Sequence, residues 1–485
     1  MRRAVKANHH MTRSLSVLDL AMFLMETPQR PFNVGPLVLL RPPKGFKGSF
    51  ADELARRMLK RPIGPPFDRC LHFGAGMPSL VRAENMDAAA HVHRLTLGGA
   101  DSFDALFARV CELHVAHLDR SRPLWEVYVI DGLADGRVAV YGKIHHGIID
   151  GRTIIGVIAN WLSRTPRDRT VRAMWEGVAP QPEKLPTTAR PRSGPGALAT
   201  LSSLSTMLAR QGLSSAGLGE FAPLPFVRVP SALTGAASGR RAYAYCALPL
   251  QRMKAFAKRH DATVNDVLLT TLDIALANYL RRRRDTPSRP LVADMPIALK
   301  GASGGNQIAV IQFPLGPPGA EPLQRLEAVS RETQQLKASL SAIPAQTLML
   351  HTALTHGIPA LFERVGVRRP PRLSNVVVSN PFGFAEKRYL MGAEVELVLP
   401  LSLLAGGQAL NVTAVTLDQQ LQIGFLAIPE VVPKIDKLAA GTMAAFAQLE
   451  RSGRNRSARA RSTQRIRDKR SSRRMRPTET GSPAR

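Results

Sequence analysis

Cysteine is nearly absent from this chain: three residues, Cys70, Cys111 and Cys246, far apart and odd in number. That fits a reducing cytosol better than a disulfide framework. Long apolar runs are missing as well. The longest candidate, ELVLPLSLLAGG from Glu396 to Gly407, is broken by Pro400 and two glycines. It falls short of the roughly 18 to 20 apolar residues that span a bilayer, so no membrane-crossing helix is expected. The opening stretch, MRRAVKANHHMTRSLS, is basic but carries no apolar core of a secretion signal. Acidic residues are few, 37 against 66 basic ones, for a net charge of +29.

What is present describes a globular protein. Hydrophobic residues make up 44% of 485, too long a chain for one ordinary core, so two domains are expected. From Arg451 to Arg485 there are thirteen Lys or Arg, two acids and no aromatic residue. Such a tail can bind any polyanion, phospholipid headgroups included, or extend as a disordered, solvated segment. By itself it identifies no partner.

Hydrophobic periodicity divides the chain into two mixed α/β bodies. The first spans residues 11–164. SVLDLAMFLME has helical spacing, FNVGPLVLL reads as a strand, and SFDALFARVCELHVAHL is an amphipathic helix. LWEVYVIDGL and GRVAVYGKIHH form consecutive strands around a turn at Asp135-Gly136. Residues 165–230 fill with Pro, Arg, Ser and Gly and read as a linker with one helix at ALATLSSLSTMLARQ. A second alternation of helices and strands occupies 231–450, with a last helix from about Pro433 to Leu449. Residues 451–485 are expected to be a disordered basic tail.

The stretch KIHHGIIDG, Lys143 to Gly151, concentrates the chemistry. Neighbouring side chains on a strand point to opposite faces, so His145 and His146 cannot both line one cleft. That weighs against a shared metal ion, and no nearby Cys or Glu supplies a third ligand. Asp150 stands where a helix begins, RTIIGVIANWL, and fits a cap or an ion-pair partner. The residues alone leave two readings: a packed strand-to-helix corner, or a catalytic base at its tip.

HHxxxDG at His145, His146, Asp150 and Gly151 is the signature of the CoA-dependent acyltransferase superfamily. The chain resembles the bacterial wax ester synthase/acyl-CoA:diacylglycerol acyltransferase family over most of its body. LSVLDLAMFLMETPQRPFNVG is similar to that family's opening. Pro123, Leu124 and Trp125 give its PLW motif, Asn265 and Asp266 its Asn-Asp motif, and Met295 to Gln307 its later strand-and-loop segment. After Ser379-Asn380 the family's Val-Pro-Gly-Pro is replaced by PFGF.

The resemblance implies two chloramphenicol-acetyltransferase-like domains meeting at a tunnel, with acyl-CoA entering from one side and an alcohol from the other. It implies His146 as general base, with His145 and Asp150 supporting and Gly151 allowing a tight turn. Asn265 would donate toward the developing oxyanion or stabilise its own helix start. Trp125 would pack the site wall, and Pro123, Leu124 and Asp266 would border the substrates. No metal and no cofactor is implied, since acyl-CoA is a co-substrate and its thioester is already activated. Expected partners are diacylglycerol or a long-chain alcohol and an anionic membrane or lipid-inclusion surface, not nucleic acid. The expected address is cytoplasmic, peripheral to the inner membrane or to lipid inclusions. Rival readings are transfer to another alcohol or amine, and a non-catalytic lipid-droplet protein.

Three further patterns are weaker. GASGG, Gly301 to Gly305, matches a nucleophile elbow around Ser303, but a strand rather than a helix follows it. Cys111, His114 and His117 share helical spacing, which reads as a helix surface patch before a metal site. Arg281 to Arg284 follow a helix end, where cations are favourable.

Overall fold

Two six-stranded mixed sheets organise the chain, and the second half of the sequence lends strands to the first. The structure is a computed structural model and describes residues 12–474 apart from 74–77, 179–195, 219, 220, 223, 228, 237, 300–307, 368 and 382. Ser303 and its glycines therefore lie outside the described residues. Chain order begins β1 (Thr12–Ser14), α1 (Val17–Met25), β2 (Asn33–Arg41), α2 (Phe50–Met58), β3 (Arg69–His72), β4 (Ser79–Arg82) and β5 (Val92–Asp101). It continues α3 (Phe103–Val115), β6 (Trp125–Leu133), β7 (Val138–His145), α4 (Gly151–Trp161) and α5 (Ala197–Ser215). Then come β8 (Ala242–Pro249), α6 (Leu250–Arg259), α7 (Val264–Arg282), β9 (Val292–Ala298), β10 (Ile308–Pro314), α8 (Pro322–Leu340) and α9 (Ala345–Arg364). Last are β11 (Val376–Ser379), β12 (Tyr389–Leu390), β13 (Ala393–Leu401), β14 (Leu410–Leu417), β15 (Gln420–Ala427) and α10 (Ile435–Arg474).

The first sheet has the order β12-β13-β2-β7-β6-β5 and the second β10-β9-β11-β14-β15-β8. β2 and β7 are buried on both faces, as their near-continuous apolar sequences require. β13 closes the open edge of β2 antiparallel, pairing Val398 with Val38 and Pro400 with Pro36. The body expected at 231–450 thus lends a strand to the one expected at 11–164. Two facing prolines leave that rung without a backbone donor on either strand. Helix α3 packs between the sheets, its Phe107 ring 5.2 Å from Tyr243 on β8.

Within the stretch read as the linker, Trp175, fully buried, stacks on Trp125 with centroids 5.4 Å apart. Past the expected end of the last helix, α10 runs on to Arg474. Extending a helix already docked by its first turns needs no new nucleation, and no proline interrupts that stretch. Among the described residues no helix is long and apolar enough to cross a membrane.

Candidate active site

The His-His corner is built where β7 ends and α4 begins. His145 is the last residue of β7, its N–H donating to Leu124 O at 3.0 Å. His146 leaves the strand with its N–H on Phe32 O at 2.7 Å. Backbone bonds on both sides therefore fix the two residues before any side chain acts.

His145 points into the fold and is 2% exposed. Its ring stacks on Phe23 of α1, centroids 4.3 Å apart and planes within 4°. Its Nδ1 accepts the Gly147 N–H at 3.0 Å, so in the neutral ring Nε2 carries the proton. That Nε2 faces Glu26 Oε1 at 3.7 Å, beyond hydrogen-bond range. Burial pushes the His145 pKa down to about 4, against the attraction of Glu26. A side chain at Gly147 has no room: a Cβ there would stand 2.7 Å from the Phe23 ring.

Glu26 gathers the surroundings. It accepts from Arg120 at 2.7 Å and from the Phe32 N–H at 3.2 Å, and His117 Nδ1 lies 3.3 Å away. Burial opposes its charge, but His145, the bonds from Arg120 and Phe32, and His117 hold its carboxyl below the usual range. Since Phe32 O in turn holds His146, Glu26 and the second histidine are both tied to the backbone of Phe32.

His146 faces the other way, as the strand alternation requires. It lines a cavity of about 100 Å³ walled by both halves of the chain. Val34 to Pro36 of β2 and Ile154, Ile155 and Ile158 of α4 form one side. Ser379 of β11, Pro381, Val398, Pro400 and Leu401 of β13, Ser402, and Thr413 and Val415 of β14 form the other. Burial lowers the His146 pKa below the ordinary histidine value, while a backbone hydrogen bond and the Asp150 and Asp19 carboxylates pull it back up. The neutral, proton-accepting ring therefore prevails at neutral pH.

Asp150 caps α4: its carboxylate accepts the Thr153 N–H at 2.7 Å. It does so from a cavity-lining position. Gly151 corrects an expectation. It is the first residue of α4 and is not among the glycines with positive φ, and a Cβ there would touch only Pro381 at 3.8 Å. Its lack of a side chain provides cavity space, not a turn.

The other motif residues are placed differently from the expectation. Trp125 is fully buried in the core of the first body, stacked on His91 at 4.4 Å and donating from Nε1 to Phe67 O at 2.8 Å. Leu124 supports the corner through the carbonyl that holds His145. Asp266 closes a capping box with Thr263 at the start of α7 and accepts from Thr333 at 2.7 Å. Neither Pro123, Leu124, Trp125, Asn265 nor Asp266 lines the cavity with His146. These motifs build the frame. The hydroxyl-bearing residues that do line the cavity, Ser379, Ser402 and Thr413, were not anticipated.

The weaker patterns resolve as structure. His114 is buried, its Nδ1 accepting from Tyr141 at 2.7 Å and its Nε2 donating to Ser402 O at 2.9 Å. Cys111 is buried too, its thiol pushed up to about 12 by desolvation, while His117 is exposed. Among the described residues no group of three or more His, Cys, Asp or Glu is arranged to hold a metal ion. Arg281 to Arg284 are exposed around the end of α7, and Arg283 bonds to Val431 O at 2.8 Å.

Comparison with known proteins follows the same geometry. The family model described as the wax ester synthase/diacylglycerol acyltransferase catalytic domain matches residues 15–268, and its C-terminal domain matches 304–450. A probable diacylglycerol O-acyltransferase of Mycobacterium tuberculosis, Tgs4, is 31% identical over 461 residues, covering 91% of this chain and 97% of its own length. A second from the same organism, tgs2, is 31% identical over 89% of this chain and 97% of its own length. The solved wax ester synthase/diacylglycerol acyltransferase of Marinobacter aquaeolei superposes with a TM-score of 0.70 at 26% identity, covering 91% of this chain and 99% of that one. The first condensation domain of the CDA synthetase shares the fold at a TM-score of 0.54 and 15% identity, over 91% of this chain and 97% of that one.

Proposed function

The chain belongs to the wax ester synthase/diacylglycerol acyltransferase family, and from that premise we propose that it moves a long-chain acyl group from acyl-CoA to diacylglycerol or a fatty alcohol. The product is triacylglycerol or a wax ester. His146 is the general base. The observation that carries this reading is the position of His146 on a cavity to which both halves of the chain contribute.

In the proposed reaction the acceptor hydroxyl sits against His146. An imidazole cannot ionise an alcohol beforehand, so the proton moves to the ring as the oxygen attacks the thioester carbonyl. The new C–O bond forms, the tetrahedral intermediate collapses, and the C–S bond breaks. His146 then returns its proton to the departing CoA sulfur. A positioned base of this kind is worth about 10²–10⁴ in rate. Hydroxyls from the second half, Ser379 and Ser402, are suited to meet the developing oxyanion. His145 positions the corner from behind, and Asp150 fixes the start of α4.

A cavity of about 100 Å³ suits the reacting groups, and long aliphatic chains extend beyond it. The aliphatic tails must lie along the apolar walls and reach toward a lipid phase. Water-insoluble substrates and a net charge of +29 support work at an anionic membrane or lipid-inclusion surface on the cytoplasmic side.

An acceptor panel tests the proposal. Purified full-length protein is given labelled acyl-CoA with diacylglycerol, hexadecanol or a long-chain amine. Labelled triacylglycerol or wax ester is the expected product. Transfer to the amine alone would refute the assignment.

A further inference from the structure

Helix α9 leaves an apolar stripe uncovered. Leu354, Ile358, Leu361 and Val365 recur at spacings of three and four, with Phe362 at four from Ile358 and three from Val365, so they share a face somewhat over one quarter of the helix wide. All are exposed, Leu361 at 59% and Val365 at 68%. Helix α1 lies beside α9, with Leu18, Met22 and Ala360 in one buried cluster and the Arg364 guanidinium on Leu24 O at 3.2 Å. Leu24 itself is 60% exposed, and Val17 stands one heptad earlier on the same side of α1.

The exposed charge at the end of this stripe is of one sign. Glu363 is the sole acid of α9, and it is buried in an ion pair with Arg30 at 2.6 Å. Arg364, Arg369 and Arg372 follow the stripe, and none has a carboxylate partner among the described residues. Arg369 and Arg372 border an open cleft of about 960 Å³. Exposed aliphatic side chains with unneutralised arginines at their edge are the surface chemistry that fits an anionic lipid interface.

The same elements touch the catalytic corner. Phe23, on the inner side of α1, stacks on His145, and Phe32, whose carbonyl holds His146, belongs to the α1–α9 cluster. We propose that the α1–α9 face, from Val17 and Leu24 to Leu361 and Val365, docks on an anionic phospholipid surface. This rests on the acyltransferase reading above and names where its lipid phase is met.

The test is flotation of the full-length protein with vesicles of phosphatidylcholine and phosphatidylglycerol, compared with phosphatidylcholine alone. Two aliphatic side chains leaving water predict that a Leu361→Ser, Val365→Ser variant partitions at least about tenfold more weakly. Arg369→Gln and Arg372→Gln should each weaken binding about fivefold on the anionic vesicles only. Unchanged flotation of the serine variant overturns the proposal. So does a wild-type dimer that the serine variant converts to monomer, which assigns the face to a second copy. Ester formation with a short, water-soluble alcohol is followed in the same preparations and should stay at the wild-type rate. If no acceptor is esterified at all, the acyltransferase reading fails, and flotation still decides the docking face.

Discussion

Phe23 and His145 lie ring on ring, 4.3 Å between centroids and 4° from parallel, although one belongs to the first helix and the other ends the fourth strand of its sheet to be laid down in the chain. The stack clamps the backbone from which His146 projects. Phe23→Leu keeps apolar volume and removes the stack, at a cost of about 1 kcal/mol. Misplacing a reacting group by ~1 Å can cost about 10²-fold, so kcat should fall roughly tenfold or more with KM little changed. Steady-state kinetics on both substrates check this.

Asp150 has two duties that substitution separates. Asparagine is as good an N-cap as aspartate, whereas alanine costs about 1 kcal/mol. Asp150→Asn should therefore keep the wild-type melting temperature, and Asp150→Ala should lower it. The Asp150 charge also raises the His146 pKa. With Asn the acid limb of kcat/KM should move to lower pH. Melting curves and a pH–rate profile read the two effects independently.

Trp125 is predicted to matter for stability and not for substrate affinity. Trp125→Phe removes the bond to Phe67 O and leaves that buried carbonyl unpaired, costing about 1–3 kcal/mol. KM for acyl-CoA and for the acceptor should be unchanged. A selective rise in either KM would put Trp125 back on the cavity wall.

Buried neutral histidines set the acid stability. Burial brings His145 and His351 to about 4 and His114 to about 3, each below the ordinary 6.5. The unfolded chain thus binds protons that the folded one refuses as pH falls from about 6.5 toward 4. Stability should be full above that window and decline through it, which melting temperature against pH will show. His351→Leu should flatten the decline.

The sequence made local elements legible and long-range ones not. The strand ending in His145 and the helix capped by Asp150 followed from alternation and from an acid ahead of an apolar run. The partners of the corner did not. Phe23 and Glu26 sit on a helix whose spacing is plain, but nothing local says which face meets β7. One clue was available: Glu26 is an acid at the C-terminal, negative end of α1, a place where it needs a cationic neighbour. β13 joins the first sheet by pairing with a strand far away in sequence, which leaves no periodic trace. Helix α9 is hidden by its internal Pro359, its glycine and its mix of Thr and His. The PLW and Asn-Asp motifs were found correctly as patterns, yet their side chains hold the frame while hydroxyl-bearing residues outside those motifs line the cavity with His146.

The most direct measurement is the rate of ester formation by His146→Ala, in protein shown by circular dichroism and melting to be folded. Removal of the base predicts a loss of about 10²–10⁴ in kcat with both KM values near wild type. A folded His146→Ala protein that still works within a few-fold of the wild-type rate would contradict the account.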